Sequence, residues 1–340
     1  MSRTPNPPRV PALAVILVPA FLAALALAAF SWTSARLAPR DLPLGVAGPR
    51  AAAAAVEQKL AQHPGAFRVH HYQGEVQAAD AIRHRSVYGA IVINASGPTL
   101  YTASAASPLV ARLLTDAVTT ASPTTRVRVV DLVPADRNDP QGIALGSALL
   151  PLVLVGAIGG AVAWFAAGRA PLRIAVLLAG AAVVGLIASG LIQGWLGIVP
   201  GNWVANGSVI ALTVFAIAAG VCGLGSLAGY PGLVTGALLM VFCGNPFSAV
   251  GSAPEMLPVP ASAVGQLLPP GAGQELLRST AYFGGNGSAG QLAVLIVWAA
   301  AGIAAFLAGD LLRRRRATAS GEGTTAGSPA PALDQAAHRA

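Results

Sequence analysis

The sequence predicts an α-helical polytopic membrane protein of six spans with an inserted extracytoplasmic α/β domain. Three observations carry that expectation. The chain is 54% hydrophobic and 10% charged, with mean hydropathy +0.64 over 340 residues, whereas soluble globular domains carry about 25% charge. Its apolar residues gather into runs of roughly bilayer-spanning length. One segment alone, 35–141, has the composition of a soluble domain.

Residues 1–9 are polar, carry Arg3 and Arg9, and read as a short cytoplasmic N-terminus. The apolar run over 10–30 reads as a first transmembrane helix. A cleaved signal peptide is the alternative, because Ala24-Leu25-Ala26 resembles a cleavage site. A signal core, however, is about 7 to 15 residues long and this run is about 20. Either reading leaves Ser34 onward outside.

Segment 35–141 alternates strand-like pieces around 44–46, 67–72, 87–93, 99–103 and 126–133 with helix-like pieces over 51–62, 75–85 and 108–119. That order predicts a small α/β domain, and about 105 residues suffice for a core of its own.

From 142 to 312 the sequence predicts a five-span membrane domain, with apolar runs over 142–167, 172–193, 208–228, 231–244 and 291–312. The fourth of these is short and leads into 244–290, a stretch broken by Pro and Gly. Irregular backbone at membrane depth is tolerated only where protein or a wet cavity satisfies its polar groups. The stretch therefore reads as an outer re-entrant segment at the functional end of the bundle. Asn245, Pro246, Glu255, Gln266, Glu275 and Arg278 are its candidates for the outer mouth of a translocation path. Glu275 and Arg278 would share a helix face and pair, which could equally pin the segment in place. Gln193, near the outer end of a span, is the candidate intramembrane polar residue, with a helix-to-helix hydrogen bond as its plain role.

Arginines set the expected topology. Arg169 and Arg173 fill the turn after the second span, and Arg313, Arg314, Arg315 and Arg316 follow the last. The positive-inside rule then puts both termini in the cytoplasm and the α/β domain outside. Trp195, Trp203, Tyr282 and Phe283 fall near the outer interface, where aromatics concentrate. Residues 313–340 read as a basic, disordered cytoplasmic tail.

Several function classes are disfavoured. The net charge is +8, but the basic residues are not gathered on an aromatic-bearing module, so no nucleic-acid partner is expected. Cys222 and Cys243 lie in apolar runs and imply no disulfide framework. Gly223 to Ala228 matches a dinucleotide fingerprint yet lies within a span and follows no strand, so no cofactor is expected. The chain also has no phosphate-binding G-x-x-x-x-G-K-[ST] motif, which makes any ATPase a separate polypeptide. His63, His70, His71 and His84 fall in the outer domain, but His70 and His71 are neighbours on a strand and point oppositely. No metal is expected.

Asn94, Asn206 and Asn286 head N-x-[ST] triplets and are expected to be exposed on the outer side. Gly156 with Gly160, and Ala181, Gly185 and Ser189, form small-residue stripes read as packing within the chain, with a dimer face as the alternative. The spans carry no interior carboxylate, which disfavours a self-contained proton pump. No paired carboxylates, Ser-His arrangement or metal ligand set lies near the membrane surface, so an enzyme is not expected.

The layout resembles the permease subunits of type-2 ABC exporters, and within them the YhgE/Pip (phage infection protein) branch and its actinobacterial relatives. The residues that carry this are Gly244-Asn245-Pro246-Phe247-Ser248, Ser252-Ala-Pro-Glu-Met-Leu-Pro258 and Gln266-Leu-Leu-Pro-Pro-Gly-Ala-Gly273. Val87-Tyr-Gly-Ala-Ile-Val-Ile93 and Asp139-Pro-Gln-Gly142 are also similar. The resemblance implies a dimeric, multi-pass permease of the bacterial plasma membrane that exports hydrophobic or amphiphilic molecules with a separate ATPase subunit. Of the 21 basic residues all but Lys59 are arginine, a bias that fits a GC-rich bacterial genome. The rival expectation is a non-transporting envelope receptor or scaffold whose outer domain binds a partner, a lipid or a phage.

Overall fold

A computed structural model describes residues 12–121, 127–166 and 170–325. The chain opens with helix α1 (Ala12–Ala35) and then builds the α/β domain, called the outer domain for its place beyond one end of the helical bundle: β1 (Leu42–Ala47), α2 (Arg50–Leu60), β2 (Phe67–Tyr72), α3 (Glu75–Arg83), β3 (Gly89–Asn94), β4 (Gly97–Thr102), α4 (Pro108–Ala121) and β5 (Arg128–Asp131). The strands form one sheet in the order β2-β1-β3-β4-β5. β1 runs parallel to both β2 and β3, β3 and β4 form an antiparallel hairpin, and β4 is parallel to β5.

Successive strand residues point to opposite faces, and helices pack on both. Ala47, Ala90 and Val92 pack under α3 residues Ala78 and Ile82. Leu42, Leu44 and Leu100 pack under α4 residues Val110 and Leu114 on the other side. Each layer also takes residues from far along the chain: Phe283 joins the first cluster, and Ala253 and Met256 join the second.

The membrane-type helices follow. They are α5 (Ile143–Phe165), α6 (Ala170–Ser189) continuing into a π-helical turn at Gly190–Trp195, and α7 (Trp203–Leu238) continuing into a second π turn at Leu239–Gly244. After α8 (Ala261–Gln266) and α9 (Pro269–Tyr282) comes α10 (Ala289–Thr325). Five stretches among the described residues are long and apolar enough to cross a membrane: Val15–Ala35, Ile143–Phe165, Ala170–Trp195, Trp203–Gly244 and Ala289–Arg313.

The fourth stretch is 42 residues long, which as a straight helix would reach about 63 Å, twice the hydrocarbon thickness. It is not straight. Gly229 sits at φ 69°, ψ −149°, outside helical space, a conformation that only glycine takes at little cost, and Pro231 follows. Beyond this break the chain doubles back, so that Leu233 packs by Gly225 and Met240 by Gly220. Gly232 lies so close to Leu224 that an added Cβ would stand 2.1 Å from the Leu224 carbonyl oxygen.

α7 is the axis of the bundle. α5 meets it through Gly156 and Gly160, where an added Cβ would lie 2.9 Å from Ile217 Cγ2 and 2.4 Å from the Ala218 carbonyl. α6 meets it through Gly185, against Gly207 and Ala211, and α10 through Gly302, against Ala219. The small-residue stripes are thus used inside the chain, as is Gly223, which packs against Gly302. α1 stands apart. No residue in its apolar window is buried, and it meets the rest along one stripe: Leu25, Ala28 and Trp32 face Leu238, Phe242 and Phe247 across a shallow cavity, with Trp32 edge-on to Phe247 at 6.4 Å.

The loop after α6, the outer domain and α9 share one end of the bundle: Asn138 Nδ2 donates to the Gly197 carbonyl at 2.9 Å and the Tyr282 hydroxyl to the Ile198 carbonyl at 3.1 Å. At the opposite end Arg173 stacks its guanidinium over Phe306 at 5.6 Å, two turns before Arg313. Arg169 lies outside the described residues, as do residues 1–9.

Three sequence expectations need correction here. The 313–340 tail is not without structure from its start, because α10 runs on to Thr325; Arg and Ala are good helix formers, so the span's helix propagates into them. The 244–290 segment is less irregular than its Pro and Gly content suggests, since α9 is a 14-residue helix. Asn206 is fully buried rather than exposed, although Asn94 and Asn286 are exposed.

Candidate functional site at the domain junction

α9 starts with Pro269 and Pro270 at its first two positions, where a missing N–H costs nothing and the fixed φ is already helical. Gly273 lets it lie against α7, since an added Cβ there would stand 2.3 Å from Thr213 Oγ1. The helix is buried on nearly every side. Glu275 and Arg278 are each only 3% exposed, so their charges must be met by protein.

They are. Arg278 Nη1 donates to Glu275 Oε1 at 3.2 Å, to the Ala106 carbonyl at 2.8 Å and to the Ser252 carbonyl at 3.5 Å, while Nη2 donates to the Val250 carbonyl at 3.2 Å. The second carboxylate oxygen of Glu275 pairs with Arg85 Nη2. Arg85 also donates through Nη1 to the Glu275 carbonyl at 3.1 Å and lies over the Phe283 ring at 5.3 Å. Arg85 comes from the outer domain, just past α3, at the positive φ of 60°. A bulky side chain in that conformation is uncommon, and here it delivers the guanidinium to the junction. Burial pulls the Arg85 pKa down, but the adjacent Glu275 charge and hydrogen bond outweigh it and the net shift is upward.

A second acid completes the set. The Tyr88 hydroxyl donates to Glu255 Oε2 at 2.8 Å. Burial, then the charges of Glu255 and Glu275, push the Tyr88 phenol well above its ordinary value of 10.0, so it stays a proton donor. The link from α1 is tied to the same segment: Arg40 N–H donates to the Glu255 carbonyl at 2.9 Å and its Nη1 to the Met256 carbonyl at 2.7 Å. Glu255, Glu275, Arg85, Tyr88, Gln266 and Gln291 line a cavity of about 230 Å³ between domain and bundle.

The sequence candidates therefore separate. Glu255, Gln266 and Glu275 share the cavity and Arg278 pairs with Glu275. Gln193 is elsewhere: its Nε2 donates to the Gly201 carbonyl at 2.8 Å and its Oε1 accepts from Asn206 Nδ2 at 3.0 Å. Asn206 Nδ2 also donates to the Pro200 carbonyl at 2.9 Å, and Asn206 Oδ1 accepts from Thr280 at 3.1 Å, so this polar cluster knits the π turn after α6, α7 and α9. Asn245 Oδ1 is buried without a partner, and Pro246 beside it is half-buried. Tyr282 and Phe283 do not face lipid: Phe283 is buried in the domain core and Tyr282 packs beside it. Trp195 is 77% exposed.

Arg85, the Tyr88 hydroxyl and the buried, unpartnered Nε2 of Gln274 were not singled out from sequence as site groups, and Asn206 was read only as the head of an exposed triplet. For Gln274 a signal existed, since it precedes Glu275 and stands four residues before Arg278 on one helical face. Arg85 gave none, its partner being 190 residues away. Among the described residues no group of His, Cys, Asp and Glu is placed to hold a metal ion. His84 Nδ1 lies 2.8 Å from the Asp80 carbonyl one helical turn before it.

No protein-family model matches the chain, and no curated protein or solved structure is similar to it beyond chance. The site stands on its geometry.

Proposed function

We propose that this chain is a permease-like protein of the bacterial plasma membrane that exports hydrophobic or amphiphilic molecules as the membrane subunit of an ABC-type system. In this reading the break at Gly229 divides the longest apolar stretch into two passes, making six. The end bearing Arg173 and Arg313 is cytoplasmic by the positive-inside rule, which puts both termini inside and the α/β domain outside. The ATPase is a separate polypeptide, and α1, with none of its apolar window buried, is free to meet a second copy of the chain.

One observation carries the reading. The outer domain is fixed to the bundle by Arg85, Glu275 and Arg278, with a cavity lined by both Glu255 and Glu275 at the seam. A domain that merely needs anchoring needs one span. Buried charges joining a folded domain to a multi-helix bundle instead make the two move together, as coupling between an inner engine and an outer exit requires. The type-2 exporter resemblance agrees with this.

The test is a pull-down of the solubilised protein from its native host, scored for a nucleotide-binding subunit. Stoichiometric recovery of one supports the export system. Repeated recovery of envelope proteins with no such subunit would sink it and favour the second reading, a non-transporting receptor or scaffold. That alternative draws on the closeness of the bundle, where glycines bring α5 and α10 into backbone contact with α7.

A further inference from the structure

α2 and α4 cover the same face of the outer sheet but do not close over it. Between them lies a cavity of about 860 Å³, within the range of roughly 300 to 1,000 Å³ typical of small-molecule sites. Its floor is Leu44, Ile91, Ile93 and Leu100, and its walls include Leu60 and Leu113. Ile91 belongs to the central strand β3 of the sheet, yet it is only half-buried. A central strand side chain is normally the first to be covered.

The polar lining is one-sided. Among the described residues the polar lining of the cavity is Lys59, Gln62 and His63, all at or just past the end of α2, and none of the described lining residues is a carboxylate. Lys59 in the last turn of a helix suits the helix dipole, but that does not account for an apolar cavity opening beside it. Pro39 lines the groove as well. It stands four residues past the end of α1, so the groove reaches within about 14 Å of the point where the first apolar helix ends.

We propose that this groove binds a single-chain amphiphile with an anionic head, received from the membrane surface. The chain lies along Ile91, Ile93 and Leu113, and the head meets Lys59 at the mouth. The apolar lining selects the chain and the uncompensated cation selects the sign of the head. This site belongs to the outer domain and is independent of whether the bundle transports.

The probe is palmitate carrying a photoactivatable diazirine, presented to the full-length protein in phosphatidylcholine nanodiscs, with adducts mapped by mass spectrometry. Hexadecanol carrying the same label is the neutral control. Palmitate adducts are expected within 56–67 and 91–118 and should be competed by unlabelled palmitate. Each methylene removed should weaken competition about three- to four-fold until the chain no longer fills the groove.

Lys59→Glu, at an exposed position that leaves the fold intact, should lower palmitate labelling about five-fold and spare hexadecanol. Ile91→Trp should block both. Adducts confined to the spans, or palmitate labelling unchanged by Lys59→Glu, would overturn the proposal. So would equal labelling by hexadecanol in the unaltered protein. None of these results bears on recovery of an ATPase subunit, so the two readings can fail separately.

Discussion

In the bundle, α7 touches α5 and α10 backbone to backbone, at Gly160 against Ala218 and at Gly302 against Ala219, and no charge takes part in these contacts. At the junction above, Arg85, Glu275 and Arg278 are joined by charge and tied to carbonyls at Ala106, Val250 and Ser252. The contrast follows from the solvent each region displaces. Lipid tails are as apolar as leucine, so helices in a membrane gain from close van der Waals fit. The junction replaces water, where apolar contact would hold the domain but leave its orientation loose. Buried ion pairs add little net stability over an apolar substitute, while losing one partner is severe. The junction charges are best understood as fixing how the domain sits on the bundle.

The largest break in that comparison is Glu275→Ala. It takes the paired carboxylate from both arginines, leaving Arg278 buried without its ion-pair partner and Arg85 with only the Glu255 charge across the cavity, and should cost about 3 to 5 kcal/mol, read as a lower unfolding midpoint in nanodiscs together with earlier proteolysis of the outer domain. An apolar triple replacement, Arg85→Leu with Glu275→Leu and Arg278→Met, should recover most of that stability. If the single and triple variants unfold alike, the charges are not what holds the seam.

The matching break in the bundle is Gly160→Leu. A Cβ there already meets the Ala218 carbonyl at 2.4 Å, so α5 must back away from α7, at a cost of about 1 to 3 kcal/mol from overpacking. The outer domain should keep its resistance to proteolysis in this variant. Loss of domain and bundle together would show that the two regions form one cooperative unit.

How much of this was legible depended on range along the chain. The strands and helices of the outer domain follow the sequence pattern closely, β2 at Phe67–Tyr72 most of all, because alternation and helical periodicity are local signals. Glu275 with Arg278 was legible for the same reason, being one helical turn apart. Arg85 with Glu275 was not, because only the fold brings them together. Asn206 misled in the opposite direction: its triplet suggested exposure, yet Gln193, Pro200 and Thr280 bury and satisfy it. The Pro and Gly of 244–290 suggested broken backbone, where in α9 Pro opens a helix and Gly packs it.

The Asn206 cluster lies between the two regions in character, being polar and neutral. Asn206→Ala removes a donor from the Pro200 carbonyl and from Gln193, and an acceptor from Thr280. Unsatisfied buried groups cost about 1 to 3 kcal/mol, and about 2 kcal/mol is expected, measured as a shift in the urea midpoint. A smaller effect for Gln193→Ala would fit its more exposed position.

The smallest effect is expected at Tyr88, and it separates the junction from the bundle by pH. Tyr88→Phe removes one hydrogen bond to a half-buried carboxylate and should cost about 1.5 kcal/mol at neutral pH. The Tyr88 pKa is raised in the folded state, by burial first and then by Glu255 and Glu275, while the unfolded phenol titrates near 10. The folded protein therefore holds the proton more tightly, and the contribution is complete below pH of about 10 and lost as pH rises through the folded value. Tyr282, pushed up to about 12 chiefly by burial, acts in the same direction. Stability of the unaltered protein should thus decline above pH of about 10, and Tyr88→Phe should flatten part of that decline while Tyr282 supplies the rest. An alkaline profile identical in both proteins would mean that water reaches Tyr88, and that the seam is looser than its hydrogen bonds imply.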